Sequence, residues 1–350
     1  MTSSQARQRP PSIKDVAALA RVSVPTVSRY LNDRWKVSEE KCQQIAKAID
    51  MLGYRPSPIA RALVRERTSF VTVLCANTTL FGQSETLHGI EEQAQESGYS
   101  LNIAMLAGSS RSEVRTSVQS ALDHNPAGVI LLNYDELSSH AFSVLPDGLP
   151  VVMIAGQRTE DVAQISMCEN VGGYDVTRHL LDLGHRSVVH ISIPGGVGGY
   201  SRLTGWKRAL QEAGIYQPEP IMASWDPASG REIGRRLAED PHVTAIFAGN
   251  DEIAMGVIRG LSDMGRRVPQ DVSVVGFDDH PIARVWNPAL TTLRQDFRQA
   301  GRRAFTMLTD KIDDIDAGRG RTENWTKYVE IPGELIVRES TACPPAGRDR

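Results

Sequence analysis

The sequence predicts a mixed chain, with a small all-α head followed by a larger α/β core of two similar lobes on parallel sheets. Three observations carry this. Residues 13–32 hold two short helical patterns joined by a tight turn. From Phe70 onward, short β-rich runs alternate with helical ones. That alternation restarts near Val171 and runs to a similar length, so the core reads as two lobes in series.

In the head, Ser12 is an N-cap residue whose hydroxyl is suited to the orphan amides of a first turn. Ile13, Val16, Ala17 and Ala20 then share one helical face. Ser23 caps a second helix, and Pro25 sits just inside it, where its missing N–H is harmless. Val27 and Leu31 give that helix an inner face, which leaves Val24, Pro25, Thr26, Ser28 and Arg29 on the other side. This is the build of a helix-turn-helix, whose second helix offers its N-terminal residues to base edges in a major groove. A helical hairpin in an enzyme has the same local pattern, so charge decides. Residues 1–67 carry 13 Lys and Arg against 6 Asp and Glu, and the remainder carries 26 against 36. A head of +7 on a body of −10 implies a polyanion partner for the head. Ser38 caps a third helix, with Cys42, Ile45, Ala46, Ile49 and Leu52 at helical spacing and Gly53 to end it.

The stretch YRPSPIARALVRERT offers a very short helix from Pro58, with Ile59 and Leu63 on it, or else a charged linker. Further on, strands are expected at 70–75, 101–105, 128–132, 150–154, 187–192, 244–248 and 272–276. Helices are expected at 84–97, 112–124, 171–183, 203–213, 229–239, 251–264 and 298–312, with late strands at 328–331 and 334–337. Such βαβ series place ligands at the carboxyl ends of their strands.

Other chemistries leave no pattern. Cys42, Cys75, Cys168 and Cys343 are scattered, which points to reduced thiols in a cytoplasmic protein. There is no apolar run of 18 residues, no apolar leader at the N-terminus, and no membrane is expected as partner. No GxSxG, HExxH or paired carboxylates stand in a matching context, so neither a catalytic residue nor a metal or cofactor is expected. PGGVGGYS follows a strand but has Ser201 where a dinucleotide loop needs its last Gly, and it reads as a loop at a cleft rim. His179, His185 and His190 read as structural.

The motif DVAALARVSVPTVSRYLND, followed by VSEEKCQQIAKAIDMLGYRPSPIARALV, resembles the head of the LacI/GalR family of bacterial regulators. NVGGYDVTRHLLDLGHRSVVHIS, RLTGWKRAL, AGNDEIAMGV, DVSVVGFDD and PALTTLRQDF are similar to later blocks of that family. One departure is Arg21, where the family has Gly in the turn; a positive φ there costs Arg some strain. The resemblance implies a dimeric transcription factor, most naturally a repressor, with a core like that of periplasmic sugar-binding proteins. It implies a homodimer on double-stranded operator DNA and a small-molecule effector between the lobes, a carbohydrate by preference. Ser23, Val24, Pro25, Thr26, Ser28, Arg29 and Tyr54 would meet the DNA, and Ile59 and Leu63 would lie on a hinge helix that wedges the minor groove.

For the effector, the resemblance carries over Arg202, Asn250 and Asp278 as polar contacts and Trp225 and Phe297 as aromatic walls. Asn77, Phe81 and Gln157 are the expected first-lobe wall. Where many relatives have a ligand-binding Asp, this chain has Ala155, which leaves room for a non-sugar. The implied divisions are an arm at 1–11, the head at 12–56, the hinge at 57–67, the core at 68–340 and a disordered tail at 341–350. Lobe one takes 68–167 and 297–326 and lobe two takes 168–296 and 327–340, with crossings near Cys168, Asp296 and Lys327. A periplasmic-type sugar-binding protein or an α/β enzyme is the rival reading.

Overall fold

A computed structural model describes residues 11–32, 36–54, 70–108, 110–156, 158–195 and 201–345. It divides into two compact units, residues 1–69 and 70–350.

The first unit holds α1 (Ile13–Leu19), α2 (Val24–Asn32) and α3 (Glu39–Leu52). The Ser12 N–H and hydroxyl both donate to the Asp15 carboxylate at 2.7 Å, which fixes the start of α1. The Thr26 N–H donates to the Ser23 hydroxyl at 3.3 Å at the start of α2. Arg21 takes the turn between them at φ +51°, the left-handed conformation that the departure from Gly made expensive. Gly53 ends α3 at φ +58°. Val16, Ala17, Ala20, Val27, Ile45 and Ala48 form the core of the head, so α2 turns Val27 inward and its polar face outward.

The second unit has two six-stranded sheets. The first contains β1 (Phe70–Cys75), β2 (Ser100–Met105), β3 (Val129–Asn133), β4 (Val151–Ala155), β5 (Ala163–Ser166) and β11 (Tyr328–Glu330), in the order β11-β5-β4-β3-β1-β2. The second contains β6 (Val189–Ser192), β7 (Ile221–Met222), β8 (Ala245–Ala248), β9 (Ser273–Asp278), β10 (Thr291–Arg294) and β12 (Glu334–Ile336), in the order β12-β10-β9-β8-β6-β7. Every pair is parallel except β10 with β12. Parallel strands need both faces covered, and they read as near-continuous apolar runs such as VILLN and VVMIA.

Helices cover both faces of each sheet. On the first sheet, α4 (Phe81–Glu96) and α11 (Phe297–Asp316) bury Ile90, Phe305 and Leu308 on one face, while α5 (Arg111–Leu122) and α6 (Glu136–Phe142) bury Val114, Val118 and Ala141 on the other. On the second, α7 (Glu169–Asp182) and α8 (Arg202–Glu212) bury Val176, Leu180 and Trp206, and α9 (Pro227–Ala238) and α10 (Asp251–Asp263) bury Ile233, Ile253 and Val257 opposite.

Two expectations need correction. Tyr328–Glu330 pairs with Gln164–Ser166 in the first sheet, so the third crossing, expected near Lys327, follows Glu330. The reason is edge pairing: the strand covers the open side of β5 before the chain leaves. Residues 341–345 are not a loose tail either. The Ala342 N–H donates to the Ser273 hydroxyl at 3.0 Å, and its carbonyl lies 3.0 Å from His185 Nε2. His179 Nε2 lies 3.1 Å from the Thr341 hydroxyl.

Candidate effector cleft and DNA-reading face

The carboxyl ends of both sheets carry the loops that approach one another within the second unit. The Phe81 ring of the first lobe lies 4.7 Å from the His280 ring of the second, and meets Phe297 edge-on at 6.0 Å. A Cβ at Gly195, after β6, would come within 2.8 Å of the Tyr134 carbonyl, after β3.

Arg202, the first residue of α8, is buried at the centre of a polar network. Its guanidinium donates to the Gly249 carbonyl at the end of β8, to Glu169 Oε1 at 2.9 Å and to Gln295 Oε1 at 3.4 Å. Nη2 also lies 3.1 Å from Asp278 Oδ1, and the group stacks 4.0 Å above the Phe277 ring. Asp278 ends β9 in a positive-φ conformation, φ +106°. Its Oδ1 is buried and touches Arg202 only off the hydrogen-bonding line. Burial pushes its carboxyl up to about 7, against the pull of Arg202. The neighbouring Asp279 behaves otherwise: Arg294 at 2.8 Å and Arg338 at 2.6 Å hold it below the usual carboxylate range. Of the two acids in the FDD run, Asp279 is a structural ion pair and Asp278 keeps a buried oxygen without a hydrogen-bond partner beside Arg202.

Asn250 caps α10, accepting the Ile253 N–H at 2.9 Å, and its amide nitrogen reaches Glu252 at 3.3 Å. Asp251 is buried, accepts from the Thr292 hydroxyl and the His280 N–H at 2.6 Å each, and is raised well above the usual range by desolvation. It fastens the 278–280 loop. Tyr134 places its hydroxyl in the same region, buried and without a hydrogen-bond partner; burial raises its pKa.

The other expected residues are less close. Phe297 is buried at the start of α11 and shapes the first-lobe wall with Phe81; Gly82 must lack a side chain because a Cβ would lie 2.7 Å from the Phe297 ring. The Asn77 side-chain oxygen Oδ1 accepts from Thr79 N–H, Thr79 Oγ1 and Leu80 N–H at 2.7, 2.9 and 3.2 Å, so that oxygen builds the turn into α4. Trp225 stands after the edge strand β7, 37% exposed. Gln157 lies outside the described residues, as do Ile59 and Leu63.

Sequence reasoning missed Glu169, Gln295, Tyr134 and Asp251. Gln295 and Asp251 belong to blocks already singled out and Glu169 stands one residue before another, but nothing in those blocks marks which of their residues reach Arg202. The histidines are structural, as expected: His190 Nδ1 lies 3.1 Å from the Phe247 carbonyl, and burial depresses it to about 3. Among the described residues no group of three or more His, Cys, Asp or Glu is placed to hold a metal ion.

In the head, Ser23, Val24, Pro25 and Arg29 are exposed along the outer side of α2, with Thr26 and Ser28 half-buried beside them. Tyr54 is buried in the head's core, a placement that takes its ring off this reading face. No helix of the described residues is long and apolar enough to cross a membrane.

Residues 12–57 match the family of bacterial regulatory proteins, lacI family, and residues 177–341 match a periplasmic binding protein-like domain. The HTH-type transcriptional repressor PurR of Escherichia coli O139:H28 is 33% identical over 345 residues, covering 95% of this chain and 98% of that protein. The repressor of the same name in Mannheimia succiniciproducens is 32% identical over 338 residues, with 94% and 98% covered. Among solved structures, the lac repressor dimer bound to operator and the anti-inducer ONPF superposes with a TM-score of 0.82 at 26% identity, covering 95% of this chain and 100% of that one. The transcriptional regulator CelR in complex with cellobiose gives 0.68 at 29% identity, with 94% and 99% covered. The chain therefore belongs to the LacI family of bacterial transcriptional regulators, as a DNA-binding repressor controlled by a small-molecule effector.

Proposed function

We propose that the effector is an uncharged carbohydrate or close derivative held between the lobes, and that a homodimer of this chain reads a partly palindromic operator. The observation that carries the ligand reading is the Arg202 network. One guanidinium is already matched by Glu169 and Asp278. An anionic ligand would meet two carboxylates and a cation with little charge to spare. A hydroxyl-bearing ligand instead supplies donors to Asp278 and Tyr134 and acceptors to Arg202 and Asn250, satisfying groups that are costly to leave unpaired. Phe81 and Phe297 offer apolar faces, and Trp225 would close over the sugar ring from the rim. The CelR–cellobiose neighbour supports the class.

The thermal-shift response of the full-length protein to neutral sugars, polyols, sugar acids, nucleosides and purines tests it. Stabilisation by neutral sugars is expected; a response confined to anions or purines would defeat the carbohydrate reading. Two heads are required because one half-site is too short for genomic specificity. Exposed Ile282, Val285 and Trp286 give the second lobe an apolar surface suited to a partner subunit.

On the DNA side, Arg29 with Val24 and Pro25 would set base choice. A bidentate contact to guanine is worth about 1–3 kcal/mol of discrimination. Arg29→Ala is expected to relax one position per half-site in a binding-site selection, and an unchanged preference would reduce Arg29 to a phosphate contact. Leu63 remains the proposed minor-groove wedge.

A further inference from the structure

The two lobes rotate against one another only by bending the crossings that join them, and Gln295 sits on one. It lies between the end of β10 and the start of α11 and is buried. Its Nε2 donates to the carbonyl of Met167, 3.2 Å away, on the crossing between β5 and α7. Its Oε1 accepts from Arg202 Nη2. The same nitrogen of Arg202 holds Glu169, two residues beyond Met167. Arg202 therefore grips one residue on each of two crossings, and Gln295 joins those crossings to each other.

The first crossing is held in an unusual shape. Cys168 has φ +52°, a conformation that disfavours side chains, and its N–H donates to the Ser166 hydroxyl at 3.2 Å. The Ser166 carbonyl accepts the Ile331 N–H at 2.8 Å, from the third crossing. A strained segment persists only where its surroundings over-determine it, and Gln295 is part of those surroundings.

We propose that Gln295 is a positioning residue that clasps the first two crossings and passes the state of Arg202 to them. The inference rests on the reading that the effector engages Arg202 and Asp278. A ligand hydroxyl that claims Nη2 takes it from Glu169 and Gln295, loosening or reorienting both crossings together. The amide is suited to this because it donates on one side and accepts on the other; a carboxylate can only accept.

Hydrogen exchange of the full-length protein, with no effector added, tests the clasp. Gln295→Glu keeps volume and the acceptor but loses the donor to Met167, and Gln295→Met loses both groups. Each is expected to speed exchange across residues 166–172 by about threefold to tenfold, the range of one net hydrogen bond. Peptides covering β1 and β9 should keep their protection. Arg202→Lys should also speed exchange at 166–172, partly through its own bond to Glu169, and its effect should be smaller in the Gln295→Glu background because the remainder passes through Gln295. Unchanged exchange at 166–172, fully additive effects, or a general loss of protection in Gln295→Glu would each overturn the clasp. No ligand enters this measurement, so a cleft that binds no carbohydrate would defeat the earlier reading and leave this result standing.

Discussion

The two walls of the cleft are built from different chemistry. The second lobe brings Arg202, Asn250 and Asp278 to the ends of adjacent elements, with buried polar groups that lack full partners. The first lobe brings Phe81 and Phe297, an alanine at the end of β4, and an asparagine side-chain oxygen consumed in its own turn. Charge and most of the hydrogen bonding thus sit in one wall, while the other supplies shape and the hydroxyl of Tyr134. Removing a group from the second lobe should cost stability and effector response together, whereas removing one from the first should mostly cost affinity.

The largest effect is expected at Arg202. Arg202→Met would strand Glu169 and Asp278 near an apolar side chain, and breaking one partner of a buried ion pair typically costs about 3–5 kcal/mol. Urea unfolding of the full chain measures it; a loss under about 1 kcal/mol would mean the network is solvated and the contrast between the walls is weak.

Asp278 follows, with a pH signature. Its folded carboxyl is raised to about 7, above the usual carboxylate value near 4. The folded state therefore holds a proton that the unfolded state has released. The stability tied to that proton is full below about pH 4 and is lost as pH rises through about 7. Asp278→Asn, which keeps the neutral form at every pH, should gain in melting temperature relative to the parent chain between pH 5 and pH 8. Parallel profiles would remove Asp278 as the titrating group. The smallest effect is expected at Phe81. Phe81→Ala removes a half-buried ring and its aromatic pairs, worth about 0.5–1.5 kcal/mol beyond area. Sugar affinity should fall by several-fold with the order of preference among sugars unchanged; a reordered preference would move specificity into the first lobe.

The same contrast governs what could be read in the sequence. Helices α1 to α3 and the strands VILLN, VVMIA and SVVGFD were legible because apolar periodicity and caps agree locally. The helix ELSSHAF and the strands AQIS and TTLR were not, since short segments that mix polar with apolar residues carry no clear period, and β7 has only two residues. β11 was legible as a strand but not as a member of the first sheet, because edge pairing is settled by tertiary contact. At the cleft, Arg202 starts α8, Asn250 follows β8 and Asp278 ends β9, and all three could be named. Glu169 and Gln295 could not, because their function lies in reaching Arg202 from two crossings far apart in the chain. Tyr54 looked like a DNA contact by position, yet the head needed its ring for a core of few large residues.

The central claim is that the second-lobe network receives the effector that controls the head. Its most direct test is operator affinity, with and without a sugar found by thermal shift, in the parent chain and in Asp278→Ala. Loss of one charged, buried hydrogen bond lowers sugar affinity by roughly tenfold to a hundredfold. The parent chain should change its operator affinity when that sugar is present, while Asp278→Ala should bind operator with the same affinity in its presence and absence. A full effector response in Asp278→Ala, at the sugar concentration that suffices for the parent chain, would contradict the assignment and place the effector elsewhere.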